Sequence, residues 1–250
     1  MPPAGFNMLS VIVPVYNGEQ HLQELVRRLS AAADSAGECI EIVFVDDGST
    51  DGSLRIMTEL ACGRSFIRCI SFRRNFGQQA AVLCGLRECR GDWIATIDDD
   101  LAHPPELIFK MKAEAERAHA DAVYAVNDDY RLKTSSVRDL FFVLFLGKPR
   151  RLRLGSFRLF SGRAAEEIGS ARGAFVYVSA EFFKTGYKAV NLAFAGETAA
   201  DRVSRYNFFS RALLFIKIIL RYTPGLGFLF RIITVNRRQY RIAEEIRPVC

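Results

Sequence analysis

From residue 8 to residue 126 the chain repeats one unit, a short apolar run followed by a segment whose apolar positions recur every three or four residues. The run at residues 8–15, MLSVIVPV, is too short for a helix and rich in β-branched residues, so it reads as a buried strand. Tyr16-Asn17-Gly18 turns the chain, and residues 19–33 then place Leu22, Leu25, Val26 and Leu29 on one helical face. The pair recurs at 40–45 and 51–60, where Ser49 or Thr50 is positioned to cap the helix, and again at 66–72 and 77–89. Residues 93–97 read as a fourth strand, Pro104 and Pro105 suit the start of a helix running to 118, and residues 122–126 read as a fifth strand. Strands separated by helices of this length imply right-handed crossovers and a doubly wound, mostly parallel α/β sheet.

Past residue 130 the alternation decays. Residues 137–146 are apolar, 148–153 basic, 156–160 strand-like and 164–168 helical, without a linker or repeat. This half reads as a basic, partly helical elaboration of the same fold. The expected division is a main domain at 1–206 and an amphipathic basic segment at 207–250, packed on that domain or on a membrane surface.

The net charge of +6 conceals a strong asymmetry. Residues 1–130 hold 12 Lys and Arg against 20 Asp and Glu, whereas residues 131–250 hold 22 against 8. A basic half needs an anionic partner, and nucleic acid, a phosphorylated small molecule and an anionic membrane are the three candidates. A composition 50% hydrophobic and 25% charged excludes disorder and collagen. The longest unbroken apolar run, residues 141–146, is far short of the ~20 residues that span a bilayer. The N-terminal MPPAGFNMLS is read as neither signal peptide nor anchor. Six cysteines, at 39, 62, 69, 84, 89 and 250, form no C-x-x-C pair and have no histidine at ligand spacing, so reduced and mostly buried thiols are expected.

An open parallel sheet binds its ligands outside the carboxyl ends of its strands. Those ends read Pro14-Val15-Tyr16-Asn17, Asp46-Asp47-Gly48-Ser49, Arg73-Arg74-Asn75-Phe76-Gly77 and Asp98-Asp99-Asp100. Three successive carboxylates repel one another unless a cation or ligand donors compensate, and Mg²⁺ or Mn²⁺ suits oxygen ligands of this kind. Alternation lets Asp98 and Asp100 reach one side while Asp99 points away. A solvated acidic turn is the competing reading of this tripeptide. The pair Asp46-Asp47 beside a helix start suggests hydrogen bonds to a base or ribose, whereas a capped turn explains Gly48 and Ser49 but not both acids. Neither G-x-G-x-x-G nor a P-loop occurs.

Taken in order, P-V-Y-N, V-D-D-G-S-T-D, R-R-N-F-G-Q-Q-A-A, the D-x-D within D-D-D, and L-A-H-P-P-E resemble the motifs of family 2 glycosyltransferases with the GT-A fold. The R-N-F-G and D-x-D-L-x-x-P-P-E blocks are most similar to those of polyprenyl-phosphate glycosyltransferases, the group of the dolichol-phosphate mannose synthases. The resemblance covers residues 8–126 and continues more weakly at S-F-R-L-F (156–160) and V-S-R-Y-N-F-F (203–209). It implies that Pro14, Tyr16 and Glu19 line a nucleotide-sugar donor, that Asp47 contacts the base, and that Arg74 sits near the donor. It implies that Asp98 and Asp100 serve ribose, diphosphate and an Mg²⁺ or Mn²⁺ ion, and that Arg158 and Arg205 meet the donor diphosphate or the acceptor phosphate. The catalytic set is then Asp98, Asp100 and Arg158. The implied reaction is a single displacement at the anomeric carbon with inversion, the leaving diphosphate being stabilised by metal and arginines.

Four departures qualify the resemblance. Ala102 stands where relatives carry Gln, Ser156 where many carry an Asp proposed as a base, and Asn127-Asp128-Asp129 where basic residues follow the fifth strand. The usual pair of C-terminal membrane helices is missing from the pattern. Loss of the base matters for a sugar hydroxyl acceptor but not for a lipid monophosphate, which is already an oxyanion. Residues 208–222 read as a helix with Arg211, Lys217 and Arg221 on one face and Phe209, Ala212, Leu213, Phe215, Ile216, Ile219 and Leu220 on the other. That pattern suits an interfacial helix on anionic lipid, a terminal helix on the core, or an oligomer contact.

The leading expectation is therefore a metal-dependent transferase acting on a polyprenyl phosphate or similar lipid-linked acceptor, cytoplasmic and peripheral at the inner membrane face, in cell-envelope glycan synthesis. Transfer to a saccharide or metabolite hydroxyl, and nucleotide-sugar binding without turnover, are the alternatives. Nucleic acid is not expected, because the acidic strand ends repel a phosphate backbone.

Overall fold

A computed structural model describes residues 8–127, 137–195, 208–223 and 240–246. Arg205 and residues 224–239 of the C-terminal segment lie outside the described residues. In chain order the elements are β1 (Met8–Val15), α1 (Leu22–Ala36), β2 (Cys39–Asp46), α2 (Ser53–Ala61), β3 (Ile67–Phe72), α3 (Gln78–Glu88), β4 (Trp93–Thr96), α4 (Leu107–Ala118) and β5 (Ala122–Asn127). There follow α5 (Val137–Leu146), β6 (Arg158–Ser161), α6 (Gly162–Gly169), α7 (Val178–Lys184), β7 (Ala189–Phe194), α8 (Phe208–Tyr222) and β8 (Ile242–Ile246).

The strands form one sheet in the order β7-β5-β6-β4-β1-β2-β3-β8. The pairs β1/β2, β1/β4, β2/β3 and β5/β7 are parallel. Two strands run the other way: β6 between β4 and β5, and β8 at the β3 edge. The mostly parallel, doubly wound α/β architecture expected from the sequence is thus the one observed, with helices on both faces. Alternation along β1 explains why, since Leu9, Val11 and Val13 join Leu22, Leu25, Ile56 and Met111 beneath α1, α2 and α4, whereas Ile12 joins Val82, Leu86, Ile168 and Phe182 beneath α3, α6 and α7. Full burial of each such aliphatic side chain is worth about 1.5–3 kcal/mol relative to exposure, so these two layers fix which way every strand end faces.

Some boundaries differ from the sequence reading, for local reasons. Helix α2 starts at Ser53, because Ser49 and Thr50 are engaged with Asn17 while Asp51 accepts the Ser53 N–H at 3.0 Å. Strand β8 and helix α7 gave no usable sequence signal. β8 is exposed along almost its whole length and is held by Glu245, which accepts from the buried Arg68 at 3.0 Å, and by Tyr240 stacked 4.9 Å from Phe72. The thiols among the described residues are free, but Cys39 and Cys62 are exposed while Cys69 and Cys84 are buried. No helix among the described residues is long and apolar enough to cross a membrane.

Candidate active site

The carboxyl ends of β1 to β4 meet at one edge, and their loops brace one another. Glu19, after β1, accepts the Gly52 N–H at 2.7 Å, and Asp51 accepts the Glu19 N–H at 3.3 Å. Asn17 accepts the Thr50 N–H at 2.8 Å, so the P-V-Y-N-G-E and D-D-G-S-T-D segments form one scaffold. Tyr16 stands exposed at the end of β1, whereas Pro14 is buried within the strand, paired with Val45. Gly48 takes φ +73°, and a Cβ there would lie 2.5 Å from the backbone carbon of Arg74, so this turn needs glycine to let the next strand end approach. Arg74 itself is exposed, its guanidinium 5.0 Å from the Phe76 ring centre.

The two acids after β2 have separate tasks. Asp46 accepts from the Ser49 N–H at 3.0 Å and the Ser71 hydroxyl at 2.8 Å. Asp47 accepts the backbone N–H groups of Phe76 and Gly77 at 2.6 and 2.8 Å, fixing the turn into α3. Burial pushes the Asp47 carboxyl up to about 6 against those two bonds, and neighbouring Asp46 adds to the rise. The sequence motif thus carries a structural duty that its pattern alone did not disclose.

After β4 the three acids diverge. Asp99 is buried against Gly18, where a Cβ would fall 2.0 Å from Asp99 Oδ2, so a larger residue at 18 would have to displace that carboxylate. Asp100 is exposed and accepts the Ala102 N–H at 2.9 Å. Asp98 accepts from Gln78 Nε2 at 2.5 Å and from Ser156 Oγ at 2.6 Å. Desolvation raises the Asp98 carboxyl above its usual range and nearby Asp100 adds to it, while the Ser156 bond and the charges of His103 and Arg158 oppose the rise. Among the described residues no three His, Cys, Asp or Glu side chains gather at one point, and Asp98 and Asp100 offer only carboxylate oxygen at this strand end.

Strand register explains which side chains meet. β4 and β6 pair antiparallel with Thr96 opposite Arg158, so two further steps place Asp98 opposite Ser156. With a period of two, Thr96, Asp98, Ser156 and Arg158 all belong to the sheet face covered by α3 and α7. Gln78 of α3 accordingly reaches Asp98, and Ser179 of α7 accepts from Arg158 at 2.9 Å. Arg158 is 3% exposed, its Nε lacks a hydrogen-bond partner, and no carboxylate among the described residues forms an ion pair with it. Gln78, His103 and Ser179 escaped the sequence reading. Gln78 stood in plain view inside R-N-F-G-Q-Q, but only the fold shows that it faces Asp98.

A profile of the family described as Glycosyl transferase family 2 matches residues 10–177, well over half of the chain. The chain belongs to that family. Its match takes in every strand end just described, together with Gln78, Ser156 and Arg158. An undecaprenyl-phosphate 4-deoxy-4-formamido-L-arabinose transferase of Pseudomonas fluorescens is 43% identical over 119 residues, 47% of this chain and 35% of the relative. The protein of the same name from Salmonella paratyphi A is 37% identical over 151 residues, 58% of this chain and 46% of the relative. The matched stretches therefore span less than half the length of these relatives. Among solved structures, glucosyl-3-phosphoglycerate synthase from Mycobacterium tuberculosis, in complex with Mn²⁺, UDP and phosphoglyceric acid, superposes with a TM-score of 0.61 at 18% identity. That superposition covers 90% of this chain and 80% of the other. Residues 1–349 of S. aureus TarS, in complex with UDP-GlcNAc, give a TM-score of 0.54 at 18% identity over 88% of this chain and 69% of that one. The fold of this family 2 chain is thus GT-A, as the resemblance implied.

Proposed function

We propose that the chain carries out inverting transfer of a sugar from a nucleoside-diphosphate sugar to a polyprenyl phosphate or similar lipid-linked acceptor. The observation that carries this reading is Arg158, a buried guanidinium whose Nε has no hydrogen-bond partner, set on the same sheet face as Asp98. A buried guanidinium with donors left unbonded is costly, and a phosphate arriving beside it lowers that cost through charge-assisted bonds. The names of the relatives, which state undecaprenyl phosphate, support the acceptor class.

In this reading Pro14, Tyr16, Glu19, Asp47 and Arg74 form the donor side, with Glu19 and Asp47 acting mainly through the loops they brace. Asp98 and Asp100 hold Mg²⁺ or Mn²⁺. Two carboxylates and no softer ligand fit such an ion, which keeps water and phosphate in the rest of its shell. When bound, it neutralises charge on the leaving diphosphate. Arg158, and Arg205 from outside the described residues, hold the acceptor or leaving phosphate. The acceptor oxyanion forms the new bond to the anomeric carbon as the bond to the diphosphate oxygen breaks on the opposite face. No proton leaves the nucleophile, so the chemistry proceeds with Ser156 where a base would otherwise stand.

The protein is further read as peripheral at the inner membrane face, with residues 1–206 as the transferase domain and helix α8 of the 207–250 segment, beside α5, supplying the surface contact, while β8 of that segment pairs with β3. The test is a donor screen with Mn²⁺ and with Mg²⁺, scored for donor hydrolysis and for transfer to short polyprenyl phosphates. Transfer to the phosphate is expected. Transfer only to saccharide hydroxyls, or donor binding without hydrolysis or transfer, overturns the proposal.

A further inference from the structure

The position that departs most pointedly from the resemblance is also one of the best bonded in the site. Ser156 lies two residues before Arg158, the partner of Thr96 in the β4/β6 ladder, and its hydroxyl donates to Asp98 Oδ2 at 2.6 Å. Its own carbonyl accepts the buried Thr96 hydroxyl at 2.7 Å, which fixes the Ser156 backbone at the strand entrance. Gln78, the first residue of α3, donates to the other Asp98 oxygen at 2.5 Å. Gln79 beside it accepts the Val178 N–H at 3.1 Å, so α3 is tied at this point to α7 as well. Each oxygen of Asp98 thus has one donor, from two elements far apart in sequence, and each oxygen keeps a further lone pair for a ligand.

We propose that Ser156 and Gln78 are positioning residues that hold the Asp98 carboxylate in one orientation for a divalent cation, and that position 156 in this chain is not a vacated base. The proposal rests on the assignment of Asp98 as a metal and diphosphate ligand given above. Ligating carboxylates are themselves hydrogen-bonded, and loss of such an outer partner costs 10–100-fold in metal affinity or activity. An aspartate at 156 would present acceptor oxygens where Asp98 Oδ2 now accepts a hydrogen bond, removing that bond and adding like-charge repulsion.

The test measures binding of Mn²⁺ by loss of its free electron paramagnetic resonance signal, in the presence of the nucleoside diphosphate whose sugar the wild type uses in the donor screen. Ser156→Ala should weaken Mn²⁺ binding 10–100-fold while the melting temperature stays within a few degrees of wild type. Gln78→Leu should weaken it by a similar factor, and Ser156→Thr, which keeps the hydroxyl, should recover most of the affinity. Ser156→Asp should bind Mn²⁺ no better than Ser156→Ala and transfer sugar more slowly than wild type. Unchanged Mn²⁺ affinity in Ser156→Ala, or faster transfer by Ser156→Asp, overturns the proposal. Failure of the wild type itself to bind Mn²⁺ with any nucleoside diphosphate overturns the underlying site assignment, a result distinct from the mutant outcomes.

Discussion

The Asp47 carboxylate accepts the backbone N–H of Phe76 at 2.6 Å, joining the end of β2 to the turn that starts α3. Its second oxygen takes the Gly77 N–H, so a single buried acid sets the geometry at the entrance to the helix that carries Gln78. Burial holds this carboxyl at about 6, above its ordinary 3.8, and the folded state therefore binds more protons than the unfolded state between those values. The stabilisation linked to that proton is fully present below about pH 4 and is lost as pH rises through about 6. The difference in unfolding free energy between wild type and Asp47→Asn should accordingly shift against the wild type from pH 4 to pH 6.5. Chemical denaturation across that range checks it, and a flat difference curve refutes the assignment to Asp47.

Asp100 is exposed and its side chain caps only the Ala102 N–H, so Asp100→Asn leaves the fold and melting temperature close to wild type. Metal-dependent donor binding should nevertheless disappear, because the site then retains one carboxylate instead of two. Calorimetric titration of the donor with and without Mn²⁺ decides the point. Identical titrations of mutant and wild type would make the acidic triplet a solvated turn.

Much of this organisation was legible in the sequence, and the exceptions have physical causes. Strands β1 to β5 announced themselves because buried parallel strands are continuous apolar runs and the intervening helices keep a 3.6-residue period. The period of β6 was visible but its direction was not, since alternation carries no information about pairing, and the Ser156 to Asp98 contact depends wholly on that antiparallel register. β8 reads IAEEI, exposed and half acidic, so nothing in its pattern separates an edge strand from a loop. Residues 208–222 were read as a helix and form α8, but the side it buries is centred on Ile218 and Tyr222 rather than on the middle of the apolar arc. Arg221, counted with the solvated bases, donates to the Arg172 carbonyl at 2.6 Å.

Arg158 offers a sharp test because only geometry distinguishes it from lysine. Its guanidinium spends one nitrogen on Ser179 and leaves Nε without a partner, a fork that an ammonium cannot reproduce. Arg158→Lys should lower kcat/KM for transfer at least tenfold, about 1.4 kcal/mol of transition-state stabilisation. Kinetics on short polyprenyl phosphates measure it. A change below threefold would leave Arg158 a structural cation of the sheet.

The proposed membrane contact can now be placed on particular side chains. Helices α5 and α8 pack on each other through Phe141 and Phe215, whose rings lie 6.2 Å apart. Away from that contact, Leu140, Leu144 and Phe145 of α5 and Leu213 and Ile216 of α8 are exposed, at 49–63% of their surfaces. Lys217 is exposed on α8, so the described outer side of the helix combines large apolar groups with a base, the chemistry of a helix lying on anionic lipid. Wild-type protein should therefore co-sediment with liposomes containing anionic lipid, less so as salt rises, because each base near such a surface contributes about 1 kcal/mol. Leu144→Ser with Ile216→Ser should reduce binding at every salt concentration, since the lost term is apolar area. Lys217→Gln should reduce it chiefly at low salt, where the attraction to charge is least screened. Arg221→Gln is expected to lower the melting temperature instead, because that side chain ties α8 to the Arg172 carbonyl. Liposome binding equal in wild type and in the Leu144/Ile216 double mutant would remove this face as the contact and return the acceptor to a soluble molecule.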